Sequence, residues 1–333
     1  MFCKFVTVLA AIACVTGVAG GAFGATTFKI GTLAPPDSPW GREFKRWAKD
    51  VSDDTNGELR LDFQWNGQAG DEVLMIQKMR TGQIDGAAVS ALGLAQTGVT
   101  DVLIFNAPGI FSSWAQLDTV RDAMKDDLNR QFEAKGFTVL GWGDAGAAKM
   151  MTIGFEVHKP ADLQGKGVFF STGDPIQPKF YTTIGGITPK LLTVNEILPG
   201  LASGAIDVLT VPPLVAEALQ WASRITHIGT QTFSFYIGGL VVSSPRLQAL
   251  APNLRDSMAR RAAEMSERLT RSIRTLDAKA YARLKASKST YETSEPDRRA
   301  WADLFANVDR QLRGTIVTPA FFDRVMQLAG TSN

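Results

Sequence analysis

The side chains that carry most enzyme chemistry are scarce in this 333-residue chain and poorly placed for it. There are two histidines: His158 in a Val157-His158-Lys159-Pro160 turn, and His227 just past a predicted helix, Ala216 to Arg224. Neither has an acidic or histidine partner at metal-ligand spacing, so both read as surface or helix-end groups. Adjacent carboxylates such as Asp53-Asp54 and Asp126-Asp127 read as solvated neighbours. No H-E-x-x-H, G-x-S-x-G or P-loop pattern occurs, which leaves hydrolytic and phosphate-transfer chemistry without its usual parts. One motif does match. Gly141-Trp142-Gly143-Asp144-Ala145-Gly146 is a literal G-x-G-x-x-G after the strand Phe137 to Leu140. A dinucleotide site needs a helix to begin there, whereas Lys149 to Phe155 reads as another strand. The expectation is an interlobe turn, no cofactor, no metal and no enzyme.

Both cysteines, Cys3 and Cys14, fall within residues 1–24. There Lys4 precedes an apolar run, Phe5 to Val18, and Ala22-Phe23-Gly24 offers small residues for cleavage before Ala25. That predicts a signal peptide, a cysteine-free mature chain and a periplasmic location, with a lipid anchor at Cys14 as the alternative. Lys plus Arg number 35 against 33 Asp plus Glu, too even a balance for a nucleic-acid partner.

The elements around these residues alternate. Thr27 to Thr32 reads as a strand, Pro35 to Pro39 as a turn, and Trp40 to Asp53 as a helix capped by Ser38 or Asp37. Glu58 to Gln64 and Ile84 to Val89 read as strands around a helix from Asp71 to Thr81. The segment Met79 to Ala88 recurs approximately as Leu201 to Thr210. In each copy a helix ends at glycine, an Ile-Asp step follows, and a short apolar strand leads on. Two such halves, in a chain too long for one core, predict an α/β, two-lobed periplasmic binding protein fold with its ligand cleft at the strand ends. The expected division is residues 25–140 for the first lobe, 141–240 for the second, and 241–333 for a helical C-terminal region. The chain should cross between lobes near 138–154 and 233–242. A long helix, about Leu254 to Lys288, should brace both lobes with its charges on a solvated face.

The run Ile30-Gly31-Thr32-Leu33-Ala34-Pro35-Pro36-Asp37-Ser38-Pro39-Trp40 resembles the opening of the dicarboxylate-type solute receptors of TRAP transporters. Thr55 to Arg60, Gly67 to Glu72, Gly82 to Asp85, Ala161 to Gly165 and Asn195 to Asp207 continue the resemblance over nearly the whole mature chain. It implies a receptor that hands a small ligand to membrane permease subunits; the expected state of the chain is a monomer or weak dimer. In that family an Arg after the D-L-x-G step pairs with the ligand's carboxylate; alignment of Asp162-Leu163-Gln164-Gly165 puts Phe169 there. A polar stretch of the family becomes Leu209-Thr210-Val211-Pro212, Leu33 replaces a common polar contact, and Ser90 stands where some members are acidic. A second basic position falls near Ala148 or Lys149. The steps Gly173-Asp174-Pro175 and Leu219-Gln220-Trp221 are similar to a branch that also lacks the Arg, for which a hydrophobic ligand has been suggested.

Burying a carboxylate without a cation costs several kilocalories per mole, while each buried methylene returns only about 0.8 kcal/mol. The expected ligand is therefore hydrophobic or amphipathic and neutral. Its contacts are expected from Leu33, Trp40, Ser90, Trp142, Lys149, Phe169, Leu209, Val211 and Tyr236, with Phe235 nearby. Strand alternation lets only one of Phe169 and Phe170 face the cleft, and the Arg position favours Phe169. The rivals are an organic-acid receptor using Lys149 as its cation, a hydrolase or lyase on the same lobes, and a lipid carrier no longer tied to a permease.

Overall fold

The computed structural model describes residues 25–330, so the predicted signal peptide, with Cys3 and Cys14, lies outside the described residues. The first half of the chain comprises β1 (Thr26–Thr32), α1 (Pro39–Asp54), β2 (Leu59–Gln64), α2 (Glu72–Arg80), β3 (Gly86–Ser90), α3 (Ala91–Ala95) and α4 (Trp114–Ala134). Next come β4 (Phe137–Thr152), β5 (Gly167–Ser171), α5 (Gln177–Ile184), β6 (Thr188–Leu192), α6 (Val194–Ser203), β7 (Val208–Val211) and α7 (Pro213–Ala218). The chain closes with β8 (His227–Ser243), α8 (Ser244–Gln248), α9 (Pro252–Ser287), β9 (Ser289–Tyr291), α10 (Glu295–Leu312) and α11 (Pro319–Ala329). The strands form one sheet in the order β2-β1-β3-β8-β4-β7-β5-β6, with β9 on β8. Parallel strands β2-β1-β3 belong to one lobe and β7-β5-β6 to the other. Antiparallel β4 and β8 run through both.

The internal repeat has a structural cause that its sequence only hinted at. After α2, Gly82 takes φ +71°, and after α6, Gly204 takes φ +72°, the left-handed helix stop that favours glycine. The aspartates of the two Ile-Asp steps then make the same reciprocal pair of bonds. Asp85 N–H donates to Lys29 O (2.8 Å) while its Oδ2 accepts from Lys29 N–H (2.8 Å). Asp207 N–H donates to Gly167 O (2.7 Å) while its Oδ2 accepts from Gly167 N–H (3.0 Å). Each carboxylate pins the start of one parallel strand to its neighbour.

The G-x-G-x-x-G segment is neither a cofactor loop nor a turn. It lies inside β4, paired with β8 from Phe137↔Ser243 to Thr152↔His227, with register shifts between Asp144 and Gly146 and again near Lys149. Its glycines have a packing reason. A Cβ on Gly141 would lie 1.8 Å from Ser266 Oγ, and one on Gly146 would lie 2.6 Å from Asp277 Cγ. Both partners are on α9, so the helix approaches this strand too closely for side chains.

Helix α9 contacts α1, β4 and α7, and its charges are not a freely solvated face. Arg260 and Arg261 grip Asp54, Arg268 reaches Glu43, Arg274 binds Asp118 and Asp144, and Arg283 holds Glu217. The long guanidinium stems let an outward-looking pattern fold back onto neighbours, and Asp54 is thereby not the solvated carboxylate its sequence suggests. The helix expected over Ala216 to Arg224 stops at Ala218, because Gln220 adopts a left-handed φ of +65° and a 3-10 turn, Trp221–Ser223, follows. The C-terminal region also contains a strand, β9, which adds to β8.

Candidate ligand-binding site

A cavity of about 310 Å³ opens between the two lobes at the ends of the parallel strands, near the lower bound for small-molecule sites. Leu33 follows β1, Trp40 begins α1 and Ser90 ends β3; all three line it from the first lobe. Phe169 on β5 and Val211 on β7 face them, while Trp142 and Tyr236 come from the crossing strands. Phe170, on the opposite face of β5, stacks on Tyr181 with ring centroids 4.4 Å apart. Phe180 and Phe233 form a back wall, supported by Phe305 and Trp301 of α10. The lobes also touch directly: Gln96 Nε2 donates to Gly173 O at 3.3 Å.

Two expected residues lie elsewhere. Leu209 is fully buried in the second lobe's core, deeper along β7 than Val211. Lys149 is also outside the lining. Its Nζ donates to Thr230 O (2.7 Å) and Thr232 Oγ1 (2.8 Å) and sits 4.7 Å from the Tyr281 ring centroid. Burial, with some help from Lys285 and against the pull of Asp277, lowers its ammonium to about 8. Phe235 packs against Trp114, 4.7 Å between centroids, rather than on the cavity wall.

Among the described residues that line the cavity there is no Lys, Arg or His. The two guanidiniums that bind the lining residue Asp144 are already satisfied. Arg121 Nη1 and Arg274 Nε hold the two oxygens of Asp144 at 2.7 and 2.6 Å, and both arginines also bind Asp118. The wall does carry two further carboxyls. Glu72 accepts from Ser90 N–H (2.7 Å) and Ser90 Oγ–H (2.6 Å), tying the first turn of α2 to the start of α3. Asp174 Oδ1 accepts from Ile176 N–H (2.8 Å) and Gln177 N–H (3.2 Å) ahead of α5. Burial pushes both carboxyls up from their ordinary range, against these hydrogen bonds. Tyr236 donates its hydroxyl to Thr210 O at 3.1 Å, and burial raises its phenol too. Trp142 Nε1 is buried without a partner.

Sequence reasoning missed Glu72, Asp174, Asn106 and Gln177, all of which line the cavity. The Gly-Asp-Pro step marked Asp174, but Asn106 ends a 3-10 turn, Thr100–Asn106, that only tertiary structure brings to the site. No group of three or more His, Cys, Asp or Glu able to hold a metal occurs among the described residues. His158 Nε2 reaches only Glu156, at 2.9 Å, and Nδ1 pairs with Glu292 O.

A cavity between two α/β lobes on shared crossing strands is the architecture of a solute-binding protein, and the family match places the chain in that class and not among enzymes. The chain belongs to the bacterial extracellular solute-binding proteins, family 7, whose model matches residues 30–313. It is 22% identical over 288 residues to the C4-dicarboxylate-binding periplasmic protein DctP of Rhodobacter capsulatus, covering 85% of each chain. Its fold matches the sugar acid binding protein of Advenella mimigardefordensis in complex with galactonate (TM-score 0.85, 18% identity, 93% of this chain and 99% of that one). It also matches a TRAP periplasmic solute binding protein from Sulfurospirillum deleyianum with bound succinate (TM-score 0.83, 17% identity, 91% and 98%). The protein is thus a solute receptor of the TRAP type, and no described helix is long and apolar enough to cross a membrane.

Proposed function

We propose that this receptor is exported to the periplasm by residues 1–24 and delivers a neutral, largely apolar small molecule to TRAP permease subunits. The observation that carries the reading is the cavity wall itself: Phe169 stands where the family's carboxylate-binding Arg is expected, and no cation replaces it among the described lining residues. A carboxylate entering would lose its hydration and meet Glu72 and Asp174, two carboxyls with no basic partner on the cavity wall. Desolvating it unpaired costs several kilocalories per mole, about as much as burying five or so methylenes would return.

The second reading is an organic-acid receptor, and the relatives favour it: those named above are described with a C4-dicarboxylate, galactonate and succinate. Its expected cation, Lys149, is engaged with Thr230 and Thr232 outside the lining, so that version needs a rearrangement to free it. Mass spectrometry of organic extracts from the natively purified protein, beside a Phe169→Arg variant, separates the two. A stoichiometric neutral molecule in the wild type, lost in the variant, supports the first reading. Recovery of a small organic acid from the wild type overturns it and establishes the second.

A further inference from the structure

Resting on the neutral-ligand reading, we infer that Asn106 and Gln177 are specificity-determining residues that grip an uncharged hydrogen-bond acceptor on the ligand, a carbonyl, ester or hydroxyl oxygen, from opposite lobes. Asn106 Oδ1 accepts from Ile237 N–H at 3.1 Å, and Gln177 Oε1 accepts from Ser171 N–H at 3.0 Å. A backbone N–H can only donate, so each amide oxygen must face its strand and neither side chain can be flipped without stranding that group. What remains for the cavity from each residue is its NH₂, a donor.

The two residues come from different elements on different lobes. Asn106 closes the 3-10 turn before Ala107, and Gln177 opens α5 behind the Asp174 cap. Trp142 on β4, which also lines the cavity, brings an indole N–H that has no partner in the fold. Every one of these groups is uncharged and donates. Donors fixed by the backbone, in a wall whose lining includes no Lys, Arg or His, select for an oxygen acceptor and against a hydrocarbon of the same shape. Because the donors sit on both lobes, the acceptor would also tie the lobes together in the closed state.

The test titrates four probes of equal chain length into the mature protein after endogenous ligand has been removed: methyl nonyl ketone, undecane, undecylamine and undecanoate. The readout is the fluorescence of Trp40 and Trp142, which line the cavity. Wild type is expected to bind the ketone at least about tenfold tighter than the alkane. Asn106→Asp keeps the bond to Ile237 N–H but turns an acceptor toward the cavity, and should abolish most of the preference for ketone over undecane. Gln177→Glu makes the same exchange on the other lobe and carries the test should Asn106→Asp melt below the assay temperature. Equal affinity for ketone and alkane in wild type, failure of both to bind, or a preference that survives in the double variant overturns the inference. Tightest binding of undecanoate instead defeats the neutral-ligand reading, and tightest binding of undecylamine assigns Asp174 a cationic ligand and overturns both.

Discussion

Arg274 Nε on α9 lies 2.6 Å from Oδ2 of Asp144, a carboxylate with no solvent-exposed surface in the middle of the crossing strand β4. Arg121 of α4 takes the other oxygen, and Trp40 Nε1 donates to the Asp144 backbone carbonyl at 3.2 Å. One buried residue thus ties the bracing helix, the first lobe and the cavity edge to one strand.

Removing that charge leaves both guanidiniums with Asp118 alone. Asp144→Asn is expected to lower unfolding free energy by about 3 kcal/mol, the usual scale for breaking a buried ion pair. Asp118→Asn, whose side chain is 35% exposed, should cost clearly less. Denaturant melts of both variants compare the two; equal losses would mean that burial is not what makes Asp144 important.

Lys149 provides a test of the organic-acid reading and of linkage together. Lys149→Met should leave ligand affinity within about twofold, because the side chain does not reach the cavity. Its folded pKa, about 8, lies below the ordinary 10.5. Stability from this group is therefore present above 10.5 and lost as pH falls toward 8. Melting temperatures between pH 8 and 10 should show that slope in wild type and lack it in Lys149→Met.

Asp309 of α10 titrates in the opposite sense. It is buried, its Oδ1 has no hydrogen-bond partner, and burial pushes its carboxyl up to about 8. The folded state keeps a proton that the unfolded state releases near 4, so stability is full below that pH and falls as pH rises to 8. Asp309→Asn should match wild type near pH 4 and become progressively more stable than it as pH rises to 8. A constant difference across that range would remove Asp309 as the cause.

Gly146 and Gly154 both have positive φ, +133° and +85°, but only Gly146 is crowded. A Cβ there meets Asp277 and Pro212 at 2.6 Å, while none is within 4 Å of Gly154. Gly154→Ala should cost only the backbone term, about 1 kcal/mol. Gly146→Ala should cost at least twice that, since the Asp277 bonds to Ala147 N–H and Leu214 N–H, both 2.9 Å, depend on the same approach. Thermal denaturation of the pair measures the difference.

Periodicity located most early elements within a residue or two, because α1 and α2 carry caps, Ser38 and Asp71, that any reading of the chain can see. The repeat was visible, yet the bonds of Asp85 and Asp207 were not, since each needs a partner strand about 40 or more residues away. Alternation said only that one of Phe169 and Phe170 faces the cavity, and the family's Arg position chose Phe169, which lines it. Lys149 could not be excluded that way: it sits beside a register shift, which breaks the alternation that would have predicted its direction. Asn106 and Gln177 left no pattern at all: Asn106 is oriented by the N–H of Ile237, 131 residues away, and Gln177 by that of Ser171, six residues back across a turn that no periodicity marks.

The crossing between lobes is made of hydrogen-bonded strand, not loop, and this sets how the receptor can move. A two-stranded ladder resists torsion and shear but flexes out of its plane, most readily where a bulge has already loosened the pairing, as at Asp144 to Gly146. Opening would then behave as a leaf spring with one soft direction, not a free joint. An emptied receptor would return along the same arc each time, and the permease would meet two stiff halves whose mutual angle reports occupancy.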